Sequence, residues 1–179
     1  WQEEIKRFVS DASLNQIFDV AVIGGGITGV STALKLQQNG KKCVILEAAN
    51  IGFGTTGGTT AHLNDFFDTT YAQAISKFGL DNAKLFAEAG KDAMQIIETN
   101  VSKLNINCDF EKKKAYLFAL DEKQEKQLED IVEGSSKVGH TMEYTDMIPF
   151  PIPFKKAVII PDQGQFHPIK YIKALSEAF

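Results

Sequence analysis

Hydrophobic positions in the first quarter of the chain form two short runs separated by an amphipathic stretch. Val20–Ile23 is an unbroken apolar run, residues 27–39 place apolar side chains three and four positions apart, and residues 42–46 are again largely apolar. Unbroken apolar runs are typical of parallel strands covered on both faces, whereas the wider spacing is typical of a helix. The pattern predicts a strand over residues 17–23, a helix over 27–39 and a strand over 42–46. This order is that of an α/β fold with a parallel sheet.

A second helical pattern runs from Tyr71 to Leu104. Gly79 interrupts it, and Asp81 is predicted to cap the helix that follows. The apolar positions that helical spacing turns to one side are Leu85, Ala89, Met94, Ile97, Val101 and Leu104. We expect these side chains to be buried.

Beyond residue 104 the pattern predicts strands as well as helices. Residues 108–110 and 115–120 are predicted strands, and Glu111–Lys114 between them is predicted to be the solvated turn of a hairpin. The other predicted elements are a short polar helix over residues 1–16, a charged amphipathic helix over 121–138, strands over 142–144 and 157–160, a turn ending at Gly164, and a helix starting at Pro168.

Composition and charge exclude several classes of function. The chain of 179 residues is 44% hydrophobic and 23% charged, as in ordinary globular proteins, and its net charge of −4 does not favour nucleic acid or an anionic membrane. No apolar run approaches the roughly 18 residues of a membrane span. Of the two cysteines, Cys43 lies in a predicted strand, so we expect a buried thiol and a cytoplasmic protein. No metal-ligand spacing or Ser/His/Asp arrangement occurs, and the helical pattern at Phe179 indicates a piece of a longer protein.

The turn between the first strand and the first helix carries a glycine fingerprint. Gly24 permits the sharp turn, Gly26 lets a pyrophosphate approach the backbone, and Gly29 lets the helix lie close to the strand. The helix that follows presents unpaired amides and the positive end of its dipole, which suits an anion. The motif predicts a bound dinucleotide; a glycine-rich loop in an unrelated α/β protein is the alternative.

An acid follows the second strand. Glu47 comes 23 residues after Gly24, close to the separation of about 20 residues at which a carboxylate accepts hydrogen bonds from an adenosine ribose. A carboxylate would repel a 2′-phosphate, and no basic residue follows in Ala48-Ala49-Asn50. The sequence therefore favours a dinucleotide with free ribose hydroxyls over NADP.

Residues 52–62 are unusually rich in glycine and threonine. Eight of the 14 glycines lie in this stretch or in the first turn. Glycine loses the most conformational entropy on ordering, so such a loop is costly to order for structure alone. We expect its amides and hydroxyls to wrap a second part of a long ligand; a flexible surface linker is the alternative.

Taken together, these motifs resemble a known family. Phe18-Asp19-Val20 before the glycine fingerprint, Leu46-Glu47 after it, and then Gly54–Ala61 are similar to the N-terminal part of the D-amino-acid oxidase-like family of FAD-dependent oxidoreductases. The segment Gly54–Ala61 is most similar to a bacterial branch whose members often carry a C-terminal Rieske iron–sulfur domain, which makes such a domain a candidate partner here.

The resemblance implies a domain division and a Rossmann-like fold. Residues 1–104 would be the first part of an FAD-binding domain with a parallel sheet and helices. Residues 105–162 would be part of an α+β substrate domain, and residues 163–179 the return helix to the FAD-binding domain.

The resemblance also implies contacts with FAD. Some relatives carry a histidine, bonded covalently to the flavin, at the place of Gly58, so we expect non-covalent FAD; the family often has Arg at the place of Ala48. The implied cofactor-binding residues are Gly24, Gly26, Ile27, Thr28 and Gly29 near the pyrophosphate, Glu47 and Ala48 near the adenosine, Thr55, Thr56 and Gly57 near the pyrophosphate and ribityl chain, and Gly58, Thr59 and Thr60 beside the flavin ring.

The implied function is oxidation of an amine or amino acid, with hydride passing to the flavin. An NAD-dependent dehydrogenase and a non-catalytic dinucleotide-binding module are the alternatives. No catalytic residue is assigned. His62, Asn64 and Asp65 follow the loop, and His62 is expected to be a hydrogen-bonded, partly buried residue. His167 is expected at the entrance of the last helix.

Overall fold

A computed structural model of the protein describes residues 15–179, so the helix predicted for residues 1–16 falls almost entirely outside the described residues. No helix among those described is both long and apolar enough to cross a membrane. The elements, in chain order, are β1 (Val20–Ile23), α1 (Ile27–Gln38), β2 (Cys43–Leu46), α2 (Thr55–Gly58), β3 (His62–Leu63), α3 (Tyr71–Phe78), α4 (Leu80–Lys103), β4 (Glu111–Ala119), α5 (Glu122–Lys137), β5 (Glu143–Thr145), β6 (Lys156–Gln165) and α6 (Pro168–Ala178).

These elements form two compact units, and each unit contains stretches that are distant in sequence. The first consists of the described residues up to His62 together with Glu98–Phe110 and Phe166–Phe179. The second consists of Leu63–Ile97 and Glu111–Gln165. Residues 63–97 thus group with the later strands, although the sequence assigned them to the FAD-binding part. The predicted domain limits stay a prediction.

The first unit contains the β-α-β arrangement that the apolar pattern predicts. β1 and β2 pair in parallel, with Val20 opposite Cys43 and Ile23 opposite Leu46. Helix α1 connects them and buries Val30, Ala33 and Leu34. An α/β fold class is therefore confirmed, although β1 starts three residues later than predicted.

The second unit is built on an antiparallel sheet, and the extent of its strands shows that two predictions are wrong. Glu111–Lys114 is no hairpin turn, because β4 is continuous from Glu111 and pairs with β6, with a bulge between Lys113 and Ala115. Gly164 ends no turn, since it lies within β6 opposite Lys112. The strand order is β3-β6-β4, with β5 also paired to β6. β4 lies at one end of this order, and the charged side chains of Glu111–Lys114 discourage it from pairing with strands of other chains.

Helices α3 and α4 meet at Gly79 as predicted, where the backbone takes a φ of 82°. Asp81 is not the N-cap of α4, because the helix already begins at Leu80. Its buried face agrees with the predicted stripe at Met94, but Leu85 is 62% exposed and small residues are buried at the other fully buried positions. The buried positions of α4 are Ala83, Ala87, Gly90 and Met94.

Helices α3 and α5 touch at a position that only glycine can occupy. A Cβ atom at Gly134 would lie 2.5 Å from the backbone nitrogen of Ala72 and 2.7 Å from its Cα. Real Cβ atoms do not approach backbone so closely, so any side chain there forces the two helices apart.

Gly134→Ala is expected to destabilise the protein although alanine is the better helix former. The gain in helix propensity is about 1 kcal/mol, whereas overpacking against a fixed backbone costs about 1–3 kcal/mol. Urea unfolding would measure the loss, with Ser136→Ala, at an exposed position of the same helix, as the matched control. Equal or higher stability of Gly134→Ala would contradict the close contact.

Candidate functional site

The glycine turn holds the start of α1 against the end of β1. Gly24 takes a φ of 102° and its N–H donates to the carbonyl of Leu46 at 2.8 Å. A Cβ atom at Gly29 would lie 1.9 Å from the carbonyl oxygen of Gly24, so this position excludes every side chain. The predicted role of Gly29 in close packing is therefore seen directly in the geometry.

Glu47 turns its carboxylate towards this glycine turn. Its two oxygens accept hydrogen bonds from the N–H groups of Gly25 and Ala49, each at 2.7 Å. The amides of Ala49 and Gly25 hold the pKa of the Glu47 carboxyl below its usual value. The group is therefore ionised at neutral pH and acts only as a hydrogen-bond acceptor.

The Gly/Thr-rich loop lies beside the same turn. The hydroxyl oxygen of Thr56 accepts a hydrogen bond from the N–H of Ile27, the first residue of α1, at 3.0 Å. The N–H of Gly52 donates to the carbonyl of Gly25 at 2.9 Å. Part of this loop is the short helix α2 rather than an irregular coil. The structure thus brings together the two glycine-containing segments that the sequence singles out.

The other predicted positions are distributed along these segments. Thr28, Ala48, Thr55, Gly58 and Thr60 are exposed, and Gly57 is buried. A Cβ atom at Gly58 would have open space around it. The hydroxyl of Thr59 accepts from the N–H of Ala61 at 3.2 Å, which fixes the end of the loop.

Sequence reasoning missed Gly25 and Ile51. A Cβ atom at Gly25 would lie 2.7 Å from Cδ1 of Ile51 and 3.1 Å from Cβ of Glu47. Gly25 is therefore needed for Glu47 to reach the turn. The signal was available as the middle glycine of Gly24-Gly25-Gly26, but the fingerprint counts only the first, third and sixth positions.

The residues present fit a dinucleotide. The absence of a side chain at Gly26 leaves a space next to Thr56. A Cβ atom at Gly26 would fill this space, because it would lie 3.2 Å from the Thr56 hydroxyl oxygen. The Thr56 hydroxyl accepts from Ile27, so its own proton is free to point to an anion. Helix α1 adds the positive end of its dipole, and Glu47 adds an ionised acceptor near the end of β2.

The residues that follow the loop have different surroundings from those expected. His62 and Asn64 are exposed, so the expected partial burial of His62 is wrong. His167 is the N-cap of α6, as expected, and its Nδ1 accepts from the N–H of Lys170. Asp65 is buried in the second unit.

Asp65 is the centre of a buried polar cluster in the second unit. Its Oδ1 atom lies 2.7 Å from Nε2 of His140 and accepts from Nε2 of Gln163 at 2.8 Å. Its N–H donates to Oε1 of Gln163, and its carbonyl accepts from the Tyr71 hydroxyl. Burial alone would raise the pKa of the Asp65 carboxyl, but the hydrogen bonds from His140 and Gln163 outweigh it, so the pKa lies below its usual value. The cluster ties three distant stretches of chain together.

Asp65→Asn is expected to weaken the pH dependence of stability in acid. A carboxyl whose pKa is lowered on folding stabilises the protein above its unfolded pKa, about 3.9, and loses that contribution as the pH falls through the folded value. The wild type should therefore lose stability below about pH 4 more steeply than the variant. Urea unfolding across pH would measure this, with the exposed Asp92→Asn as control. Identical pH slopes for wild type and Asp65→Asn would contradict the assignment.

Comparison with known families identifies the class of protein. A family model described as FAD dependent oxidoreductase, the DAO family, matches residues 19–179. The chain belongs to this family of FAD-dependent oxidoreductases, which confirms the resemblance drawn from the motifs. FAD, the predicted cofactor, is the cofactor of the family.

Individual relatives agree with this assignment. The chain is 36% identical over 159 residues to YhfW of Bacillus subtilis, named as a Rieske 2Fe-2S iron-sulfur protein, and the match covers 89% of this chain and 31% of YhfW. It is 31% identical over 122 residues to gamma-glutamylputrescine oxidoreductase of Escherichia coli, covering 68% of this chain and 28% of that enzyme. The chain thus spans about a third of the length of these relatives.

A solved structure shows the same fold. The L-proline dehydrogenase from P. horikoshii superposes with a TM-score of 0.73 at 18% sequence identity, over 92% of this chain and 42% of the dehydrogenase. At this identity the likeness concerns the fold.

Proposed function

We propose that this chain supplies the dinucleotide-binding part of an FAD-dependent oxidoreductase that oxidises the carbon next to nitrogen in an amine or amino acid. The proposal is carried by the hydrogen bonds that join the Gly/Thr-rich loop and Glu47 to the glycine turn. Thr56 accepts from the first N–H of α1, and Glu47 accepts from the N–H of Gly25. Family membership supports the cofactor. Similarity to gamma-glutamylputrescine oxidoreductase supports an amine as substrate.

Each segment has a proposed part in binding non-covalent FAD. Gly26 keeps side chains away from the pyrophosphate, while Gly24 and Gly29 shape the turn that holds it. The amide of Thr28 faces the pyrophosphate directly, and that of Ile27 acts through Thr56, to which it donates. Glu47 accepts hydrogen bonds from the ribose hydroxyls, and Ala48 lies on the adenine side. The remaining proposed contacts are Thr55, Thr56 and Gly57 to the pyrophosphate and ribityl chain, and Gly58, Thr59 and Thr60 beside the flavin ring.

When bound, FAD supplies the acceptor for the hydride, so the chain need only bind and orient it. An ionised Glu47 favours free ribose hydroxyls and disfavours a 2′-phosphate. The runner-up cofactor, NAD, shares the glycine turn and the acid but makes no use of the Gly/Thr segment. A dinucleotide-binding module without catalysis is the second alternative.

Two measurements test the proposal. The purified full-length protein should show the two visible absorption bands of a flavin, and anaerobic addition of an amine such as putrescine or of L-proline should bleach them, whereas this chain alone is expected to be inactive. A colourless, folded protein that takes up NAD and not FAD would refute the cofactor. Bleaching by glycerol 3-phosphate but by no amine or amino acid would refute the substrate class, and a flavin that no substrate reduces would favour the non-catalytic module.

Gly26→Val is expected to abolish FAD binding. The valine side chain would fill the space between the start of α1 and Thr56, into which the pyrophosphate has to fit. Flavin fluorescence quenching would measure the affinity, with Thr32→Val, at an exposed position of α1, as the control for adding a valine. Wild-type flavin content in Gly26→Val would disprove the phosphate-turn assignment.

Glu47→Gln is expected to weaken FAD binding about 10- to 100-fold, because charge-assisted hydrogen bonds contribute roughly 1.5–3 kcal/mol. The matched control is Asp19→Asn. Asp19 also accepts a backbone hydrogen bond, from Lys42 at 2.8 Å, but at the start of β1 rather than its end. Equal affinities of the two variants would show that Glu47 does not bind the ribose.

The similarity to YhfW supports a Rieske iron–sulfur domain as an electron-transfer partner in the full-length protein. Iron and acid-labile sulfide in equal amounts, together with the flavin, would support this partner. A full-length flavoprotein that contains no iron would exclude it.

A further inference from the structure

Helix α1 ends at an asparagine that is followed directly by a glycine. Asn39 and Gly40 are both exposed and lie in the short connection between α1 and β2. The backbone nitrogen that follows an asparagine can attack Cγ of its side chain and close a five-membered ring. Glycine leaves this nitrogen unshielded, because it has no Cβ atom. The pair is therefore chemically labile in water.

A Schellman motif ends the helix at this pair. The backbone takes a φ of 80° at Gly40. The N–H of Gly40 donates to the carbonyl of Gln37 at 2.9 Å, and the N–H of Lys41 donates to the carbonyl of Leu36 at 3.1 Å. This pair of bonds favours glycine at the position of Gly40. The residue that stops the helix is thus also the residue that makes Asn39 reactive.

The hydrogen bonds of the helix end oppose the reaction in the folded protein. The attacking atom is the nitrogen of Gly40, whose N–H is bonded to Gln37. The side chain of Asn39 is turned back along the helix, since its Nδ2 atom donates to the carbonyl of Lys35 at 2.7 Å. Both bonds have to open before the ring can form. Helix ends open more easily than the core of a domain, so unwinding of the last turn of α1 permits the attack.

We propose that Asn39 undergoes spontaneous deamidation when the last turn of α1 unwinds, and that the product weakens this helix end. The nitrogen of Gly40 forms a bond to Cγ of Asn39, the Cγ–Nδ2 bond breaks, and ammonia leaves with the proton of the Gly40 N–H. Water then opens the ring at either carbonyl carbon and gives aspartate or isoaspartate, with no change of oxidation state. The inference goes beyond the proposed function and does not rest on it, because the reaction needs only water and no flavin.

Either product changes the end of α1. A carboxylate cannot donate to the carbonyl of Lys35, and its charge lies at the negative end of the helix dipole, where an anion is unfavourable. Isoaspartate also adds a backbone carbon to the connection between α1 and β2, which comprises only residues 39–42. We therefore expect deamidation to weaken the β-α-β arrangement that carries the glycine turn.

Asn82 is a matched control within the same chain. It is exposed, and its Nδ2 atom donates to the carbonyl of Phe78, again four residues earlier, at 2.8 Å. Its successor is Ala83, which has a side chain. Asn82 also lies in the first turn of α4, where the helix dipole favours an anion.

Mass spectrometry of peptides from the purified full-length protein, aged in mildly alkaline buffer with and without urea, tests the reaction. The peptide of Asn39 should gain one dalton and contain isoaspartate, which an isoaspartyl methyltransferase labels, whereas the peptide of Asn82 should stay unchanged. The gain should be about tenfold or more slower in the folded protein than in urea, because two hydrogen bonds have to open first. Equal rates in the two states, or equal rates at Asn39 and Asn82, would overturn the proposal.

Thermal unfolding of two variants tests the effect on α1. Asn39→Asp carries one of the two products and should lower the unfolding temperature by a few degrees, whereas Asn82→Asp should leave it unchanged or raise it. Asn39→Asp that unfolds at the wild-type temperature would overturn the second half of the proposal.

Discussion

The absence of a side chain at Gly29 is the constraint on which the nucleotide-binding end of the first unit depends. The carbonyl of Gly24 occupies the place that a Cβ atom of Gly29 would take. This contact brings α1 close to β1 and points its first amides out from the end of the strand. Two hydrogen bonds depend on that placement. The N–H of Gly25 donates to Glu47, and the N–H of Ile27 donates to Thr56. A larger residue at 29 would displace all of these groups together.

Glu47 combines a hydrogen bond of the fold with the proposed contact to the ribose. Its carboxylate closes the glycine turn by accepting from Gly25, and the same negative charge would attract the ribose hydroxyls. Similarly, the Thr56 hydroxyl accepts from the helix and retains a proton to donate. The groups that would meet a dinucleotide are thus held in position by the hydrogen bonds of the fold itself, which reduces the ordering that binding would require.

The sequence predicted those parts of the fold that local rules determine. The glycine turn, Glu47 and the break at Gly79 follow from backbone freedom and short spacing. The full length of β4 could not be predicted from local rules, because its partner β6 starts 37 residues after β4 ends. The lysines inside β4 also have the polar character that is typical of a turn. The buried face of α4 was misjudged because close packing selected small Ala and Gly side chains over Leu85. Gly25 was overlooked since its necessity comes from Ile51 and Glu47, which are distant in sequence.

The order of the segments has a consequence for synthesis. The first unit requires Phe166–Phe179, and the second requires residues on both sides of Glu98–Phe110. Neither unit is a continuous stretch that a ribosome can release complete before the other. β1, α1 and β2 emerge early, but α6 emerges only after the whole second unit. The nascent chain therefore exposes unfinished apolar surface at least until α6 leaves the exit tunnel, and during that interval chaperones have access to it.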